Sequence, residues 1–241
     1  MKDYVVIIPA RIGSTRLPNK PLIDIHGKPM ILHTLDRAYE AVEKERVFIA
    51  TDSKVISDVC TLAGANVIMT SDKCLTGTDR VAEVACKLPA KSYINLQGDE
   101  PMMDPSNILK VIEASQKSPN SIINAWAWIK SEAEFRSRSI PKVVIRRDGR
   151  LMYMSRAPIP GTKADTFTFS RKQVCVYGFP RESLVAFSQN NGKAEHENSE
   201  DIEILRFLEM GWEVEMIELS GNFRAVDTPE DLSYVTARLR N

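Results

Sequence analysis

The sequence predicts an α/β fold: a mostly parallel central sheet covered by helices on both faces, with a β-rich excursion at about residues 130–175. Three observations carry this. Strand-like and helix-like segments alternate through residue 117, a rhythm that calls for parallel strands joined by crossover helices. The first strand segment is a continuous apolar run rather than an alternating one, as expected of a strand buried on both faces. Beyond residue 130 the rhythm fails, and Asp148-Gly149 stands between two apolar stretches, a hairpin signal.

Each element follows from its own residues. "YVVII" (4–8) opens the sheet, and "MILHTLDRAYEAV" (30–42) has apolar residues at helical spacing. "RVFIAT" (46–51) is the next strand. "SKVISDVCTLAG" (53–64) is a helix with Ser53 to cap its start and Gly64 its end. "NVIM" (66–69) is a short strand and "TDRVAEVACKL" (78–88) a helix with Thr78 as its expected N-cap. "SYINLQ" (92–97) and "PSNILKVIEASQK" (105–117) complete the first half. Strands are expected at "SIINAWAWI" (121–129), in the hairpin "KVVIRRDGRLMYMS" (142–155) and at "KQVCVYGF" (172–179). "PIPGTKADTFTFSRK" between them reads as a mobile loop. Helices return at "PRESLVAFSQN" (180–190) and "SEDIEILRFLEMG" (199–211), then strand "EVEMIEL" (213–219) and helix "PEDLSYVTARLRN" (229–241). No repeat or low-complexity linker divides the chain, so residues 1–241 are expected to form one domain.

Lys and Arg total 32 and Asp and Glu total 32, so bulk charge gives no reason to expect nucleic acid or an anionic membrane surface as partner. No apolar run approaches the roughly 18 residues of a membrane span. A strand begins by Tyr4, which leaves no room for a signal peptide and leads us to expect a cytoplasmic protein. Cys60, Cys74, Cys86 and Cys175 form no CxxC pair and are expected to be reduced and mostly buried. His26, His33 and His196 lack metal-ligand spacing.

Four motifs carry chemistry. "PARIGSTRLPNKP" (9–21) leaves the end of the first strand, where open α/β sheets bind ligands. Arg11, Arg16 and Lys20 bring three cations, Ser14 and Thr15 hydroxyl donors, and Gly13 a place for close backbone approach. Guanidinium groups match phosphate oxygens; the alternative is a solvated basic loop. Neither GxxxxGK[ST] nor GxGxxG is present, which excludes P-loop and dinucleotide readings. In "NLQGDEP" (95–101) the strand turns at Gly98 and presents Asp99 and Glu100, which extended backbone should point to opposite sides. One carboxylate there suits Mg²⁺ shared with substrate phosphates; otherwise this is a turn with incidental acids. "VDTPEDL" (226–232) has Thr228, Pro229, Glu230 and Asp231 in the order of a helix start, which leaves Asp227 as a second metal carboxylate or merely part of the approach. "GTDR" (77–80) places Arg80 in the first turn of a helix, facing either an anion or the surface carboxylates of Asp79 and Glu83. The acids from Glu195 to Glu203 read most simply as a solvated loop and helix start.

In this order the motifs resemble the CMP-Kdo synthetases, the cytidylyltransferases that activate 3-deoxy-manno-octulosonate (Kdo). The matching stretches are "IIPARIGSTRLPNKPL", "GKPMI", "ATD", "GTDR", "AEV", "NLQGDEPM", "SRAPIP", "YGF", "IEILR" and "VDTPEDL", from residue 7 to 232. The resemblance implies a three-layer αβα Rossmann-like nucleotidyltransferase fold. It implies a homodimer, and a reaction in which CTP and a 2-keto-3-deoxy sugar acid give the CMP-sugar and pyrophosphate with Mg²⁺, for lipopolysaccharide biosynthesis. Carried over by motif, Arg11, Ser14, Arg16 and Lys20 hold the triphosphate, Lys20 also serving catalysis, while Asp99 and Asp227 bind metal. Gln97 and Arg80 lie near nucleotide and sugar, and Arg156, Tyr177 and Glu203 near the sugar.

Two stretches depart from the family pattern. Where many members read "HLGIYGY" and "LEQLR", this chain reads "QVCVYGF" and "IEILR", so Gln173 replaces His, Phe179 replaces Tyr and Ile204 replaces Gln. These changes fall in the sugar half. They suggest a Kdo-like sugar with a changed substituent, such as an amino group for a hydroxyl (8-amino-Kdo), which the acids near Glu203 would suit. A related nonulosonate cytidylyltransferase, and a sugar-nucleotide sensor without catalysis, are the other readings; retention of Lys20, Asp99 and Asp227 argues against the sensor.

Overall fold

The computed structural model describes residues 2–13, 17–190 and 192–239. Strand β1 (Lys2–Ala10) leads through the opening loop and a short ribbon, β2 (Asp24–Ile25) and β3 (Lys28–Pro29), into helix α1 (Met30–Ala41). There follow β4 (Val47–Thr51), α2 (Lys54–Leu62), β5 (Asn66–Met69), α3 (Gly77–Lys87), β6 (Ala90–Leu96) and α4 (Pro105–Lys117). The second half runs β7 (Ile122–Trp128), α5 (Glu132–Arg136), β8 (Lys142–Ile145), β9 (Leu151–Ser155) and β10 (Arg171–Pro180). It ends with α6 (Arg181–Gln189), α7 (Glu195–Glu200), α8 (Ile204–Glu209), β11 (Val214–Glu218) and α9 (Pro229–Thr236).

The main sheet has the order β11-β7-β10-β6-β1-β4-β5, with the β8–β9 hairpin joined to the start of β10. β1 is parallel to β4 and β6, β4 to β5, and β7 to β11. β10 alone in that row runs against both neighbours, β6 and β7. β1 sits in the interior of the sheet, and Val5, Val6, Ile7 and Ile8 are wholly buried. Alternation along the strand divides them. Val5 and Ile7 join the cluster under α3, α6 and α8, whereas Val6 and Ile8 join the one under α1, α2 and α4. This gives three layers, with the mostly parallel sheet that the βα rhythm implies.

Local chemistry sets the helix ends. Ser53 accepts from the Ile56 N–H, and Gly64 takes φ +80° just beyond α2. Thr228 and Asp231 form a capping box at the start of α9, with Pro229 in the first turn. The hairpin turns at Gly149, φ +88°.

Four expectations need correction. The cap of α3 is Thr76, not Thr78, because Asp79 three residues on completes a capping box with Thr76. The expected helix over 199–211 is broken: Asp201 adopts a left-handed conformation, φ 52°, and α8 starts anew at Ile204. The acids preceding it are not simply solvated, since Glu197 is wholly buried against Arg206. Of the four cysteines only Cys60 is buried; Cys86 lies on the open face of α3.

Candidate active site

A cavity of about 430 Å³ opens beyond the carboxyl ends of β1 and β6, walled by the first loop, the start of α3 and the approach to α9. The topology explains why distant residues meet there. β1 and β6 are adjacent and parallel, with Ile7 opposite Asn95, so the loops that follow them emerge side by side. The turn after β6 packs tightly: a Cβ on Gly98 would lie 2.8 Å from the Pro9 carbonyl oxygen, which requires glycine. The Val226 N–H donates to the Asp99 carbonyl at 2.9 Å and so brings Asp227 beside Asp99. Leu17, Ile25, Met30, Val226 and Val235 form a small apolar cluster that fastens the first loop to this approach.

The outcome is a charged centre. Lys20 Nζ donates to Asp99 Oδ2 at 2.6 Å and to Asp227 Oδ1 at 3.0 Å, although 207 residues separate Lys20 from Asp227. Burial pulls the Lys20 pKa down, but the attraction of Asp99 and Asp227 outweighs it and holds the ammonium above its ordinary value. Glu100 is buried and does not line the cavity, so the two acids part as expected, but through a turn, with the Glu100 N–H donating to the Gln97 carbonyl at 3.1 Å, rather than through extended backbone. Burial, with Asp99 and Asp227 nearby, pushes its pKa up to about 8.

The start of α3 forms the second wall. Glu203 accepts from the backbone N–H groups of Gly77 (3.2 Å) and Thr78 (2.9 Å), so a protein carboxylate sits at the positive end of the helix. Burial raises the Glu203 pKa, and the Thr78 and Gly77 donors partly offset that. The left-handed turn at Asp201 is what brings Glu203 inward. Gln97 lies flat on Gly77: a Cβ there would meet the Gln97 amide nitrogen at 2.9 Å. Gln97 Nε2 donates in turn to Asn95 Oδ1 at 3.4 Å. Arg80 lines the cavity but is almost wholly buried. It donates to Thr70 and lies 3.4 Å from Asp52, so it is not a surface partner of Asp79 or Glu83.

The third group lies deeper on the same face of the sheet. Gln173 Nε2 donates to Asn124 Oδ1 at 3.1 Å and to the Tyr177 hydroxyl at 3.2 Å. Asn124 Nδ2 spans the irregular register of β10 by donating to the carbonyls of Val174 (3.1 Å) and Val176 (3.0 Å). Those carbonyls fix the Asn124 amide, which fixes the Gln173 amide in turn. Both Gln173 N–H directions are committed and its carbonyl oxygen is left to accept. The other two departures from the family pattern are apolar packing: Phe179 stacks between Tyr177 and Phe207, and Ile204 is buried.

Of the sequence-predicted residues, Arg11, Lys20, Arg80, Gln97, Asp99, Glu203 and Asp227 line one cavity. Gln173 and Tyr177 form the network below it. Arg156 does not line the cavity; its guanidinium donates to the carbonyls of Arg138, Ser139, Glu200 and Asp201. Ser14 and Arg16 lie outside the described residues. Of the acids near Glu203, Glu197 pairs with Arg206 and Asp201 with Lys193, and Glu200 accepts from the Ser155 hydroxyl and the Arg156 backbone N–H. This makes the neighbourhood less anionic than its sequence suggests. Sequence reasoning missed Asn95, Asn124 and the buried Arg206. The signal for the two asparagines was a polar residue inside an apolar strand run, in "SYINLQ" and "SIINAWAWI".

Among the described residues no group of three or more His, Cys, Asp or Glu is arranged to hold a metal. The two carboxylates that meet at Lys20 Nζ are a hard oxygen pair, which suits Mg²⁺ when substrate phosphates complete the shell.

A family model described as cytidylyltransferase matches residues 5–217. The 3-deoxy-manno-octulosonate cytidylyltransferase of Escherichia coli is 36% identical over 98% of this chain and 96% of its own length. The one from Anaeromyxobacter dehalogenans is 40% identical over 99% and 98%. A solved structure of a CMP:2-keto-3-deoxy-manno-octonic acid synthetase complexed with CTP superposes with a TM-score of 0.91 at 36% identity, covering 99% of this chain and 98% of that one. With the cavity at the carboxyl ends of β1 and β6, these likenesses show that the chain belongs to the cytidylyltransferase family and, within it, to the group of the 3-deoxy-manno-octulosonate cytidylyltransferases.

Proposed function

We propose that the protein transfers the cytidylyl group of CTP to the C2 hydroxyl of a Kdo-type sugar acid and releases pyrophosphate, supplying an activated sugar for lipopolysaccharide. The observation that carries this is the meeting of Lys20, Asp99 and Asp227 at the mouth of a cavity walled by the first loop and the start of α3. Such a transfer needs mainly positioning and charge neutralisation. Arg11 and Lys20, with Ser14 and Arg16 from the same loop, grip the triphosphate. Among the described residues no atom lies within 4 Å of a Cβ added to Gly13, in keeping with room for a phosphate. Asp99 and Asp227 are the residues that would hold Mg²⁺, and the ion would supply positive charge near the attacking hydroxyl and the α-phosphate. Gln97, fixed by Asn95 and Gly77, and Arg80 orient the nucleotide and sugar, while Gln173, Tyr177 and Glu203 serve the sugar side; Arg156, its guanidinium committed to backbone carbonyls, acts there only by bracing the turn at Glu200 and Asp201.

Gln173 opens a finer reading: its remaining acceptor oxygen meets a hydroxyl or an amino donor on the sugar alike, so an 8-amino-Kdo stands as a candidate substrate beside Kdo itself. We place the enzyme in the cytoplasm; no helix among the described residues is long and apolar enough to cross a membrane. We further propose a homodimer formed through the excursion, where Met152 and Phe169 are exposed. Pyrophosphate release with CTP, Mg²⁺ and either Kdo or its 8-amino analogue tests both levels. Release with either sugar supports the enzyme. Nucleotide binding without release would favour a sensor, and a strong preference for plain Kdo would refute the amino-sugar reading.

A further inference from the structure

We propose that Lys20 is a built-in stand-in for the divalent ion. Before ligands arrive, its ammonium occupies the point where Asp99 and Asp227 converge. Metal and triphosphate arriving together move it from the carboxylates onto the phosphates. This rests on the reading of Asp99 and Asp227 as metal ligands.

Lys20 Nζ is within hydrogen-bond distance of both carboxylates, at 2.6 and 3.0 Å. A metal held by both aspartates needs the region the ammonium fills. A divalent ion arriving alone must therefore expel a cation from partly buried carboxylates, with no anion present to receive it. A nucleoside triphosphate, with about four negative charges, is that receiver. Lys20 lines the same cavity as Arg11 and Gly13, and its stem has the flexible carbons needed to swing between the two positions. Metal and CTP are thereby coupled: each strengthens binding of the other by the same factor.

The test uses the full chain and Mn²⁺ alone as probe, with binding read from the loss of the free-ion spin-resonance signal. The wild type should bind Mn²⁺ weakly without nucleotide. Lys20→Met should bind it at least about tenfold tighter, a change of about 1.4 kcal/mol, and CTP should then raise its Mn²⁺ affinity less than it does in the wild type. Equal affinity in the two, or none in Lys20→Met, overturns the stand-in role. If Lys20→Met keeps its tighter Mn²⁺ binding when Asp99→Asn and Asp227→Asn are added to it, the metal reading itself fails. A second measurement needs no neutral variant. In ¹⁵N-lysine-labelled wild type, the Lys20 ammonium signal, assigned with Lys20→Arg, should hold with Mg²⁺ alone and shift when CTP joins it. A shift with dilute Mg²⁺ alone, or none under either condition, contradicts the proposal.

Discussion

Replacing Arg206 by Met should be among the most destabilising single changes outside the cavity. The guanidinium donates to both oxygens of Glu197 at 2.6 and 2.7 Å and to Asp79 Oδ1 at 3.0 Å, and it stacks on Phe187 at 3.8 Å. Both Arg206 and Glu197 are essentially without solvent contact. Methionine fills much of the volume, so the main loss is charge pairing: Glu197 is left as a buried carboxylate without its cation. Breaking a buried pair from one side costs about 3–5 kcal/mol. For a chain of this size each kcal/mol lowers the melting temperature by about 2–4 °C, so a fall on the order of 10 °C is expected. Urea and thermal unfolding measure it, with Glu197→Gln added to Arg206→Met as the control. The double variant should recover at least half of the loss, because the orphaned charge is gone. A single variant within about 1 kcal/mol of the wild type, or a double variant no better than the single, would refute the reasoning.

Two further outcomes are expected. Gly77→Ala places a Cβ 2.9 Å from the Gln97 amide. The side chain can rotate away, so stability should hold while turnover falls on the order of 10- to 100-fold; unchanged kinetics would show that the Gln97 amide has no fixed place to lose. Glu100, pushed up to about 8 chiefly by burial, binds a proton in the folded chain over a range where the unfolded carboxyl has released it. Stability should therefore fall as pH rises from about 4.5 to about 8, at no more than about 1.4 kcal/mol per pH unit from this group. Glu100→Gln should flatten that slope in chemical denaturation; an identical slope in the variant removes Glu100 as its source.

Much of this molecule was legible in its residues, for identifiable reasons. The runs at 4–8, 66–69 and 105–117 declare their elements because burial and capping act locally, and α4 begins and ends where its sequence indicates. The first loop and "NLQGDEP" could be assigned to one site because parallel strands deliver their ends to the same edge. What the sequence hid was long-range. That Val226 bonds to Asp99, or that Arg206 enters the core to meet Glu197 and Asp79, depends on tertiary packing that no local pattern encodes. The same holds for the acids around Glu203, which looked solvated: Glu197 meets Arg206, Asp201 meets Lys193, and Glu200 accepts from the Ser155 hydroxyl and the Arg156 backbone N–H. Thr76 lost to Thr78 as the expected cap for a smaller reason: either threonine could open the helix, and only the reach of Asp79 decides between them.

The account depends most on Asp99 and Asp227 acting on a bound triphosphate. The direct measurement is pyrophosphate release at saturating CTP, Mg²⁺ and sugar acid by Asp99→Asn and Asp227→Asn, each checked for an unchanged circular dichroism spectrum. Loss of several kcal/mol of charge stabilisation predicts a fall in kcat of about 1000-fold or more for each. Folded variants that both keep turnover within about tenfold of the wild type would contradict it.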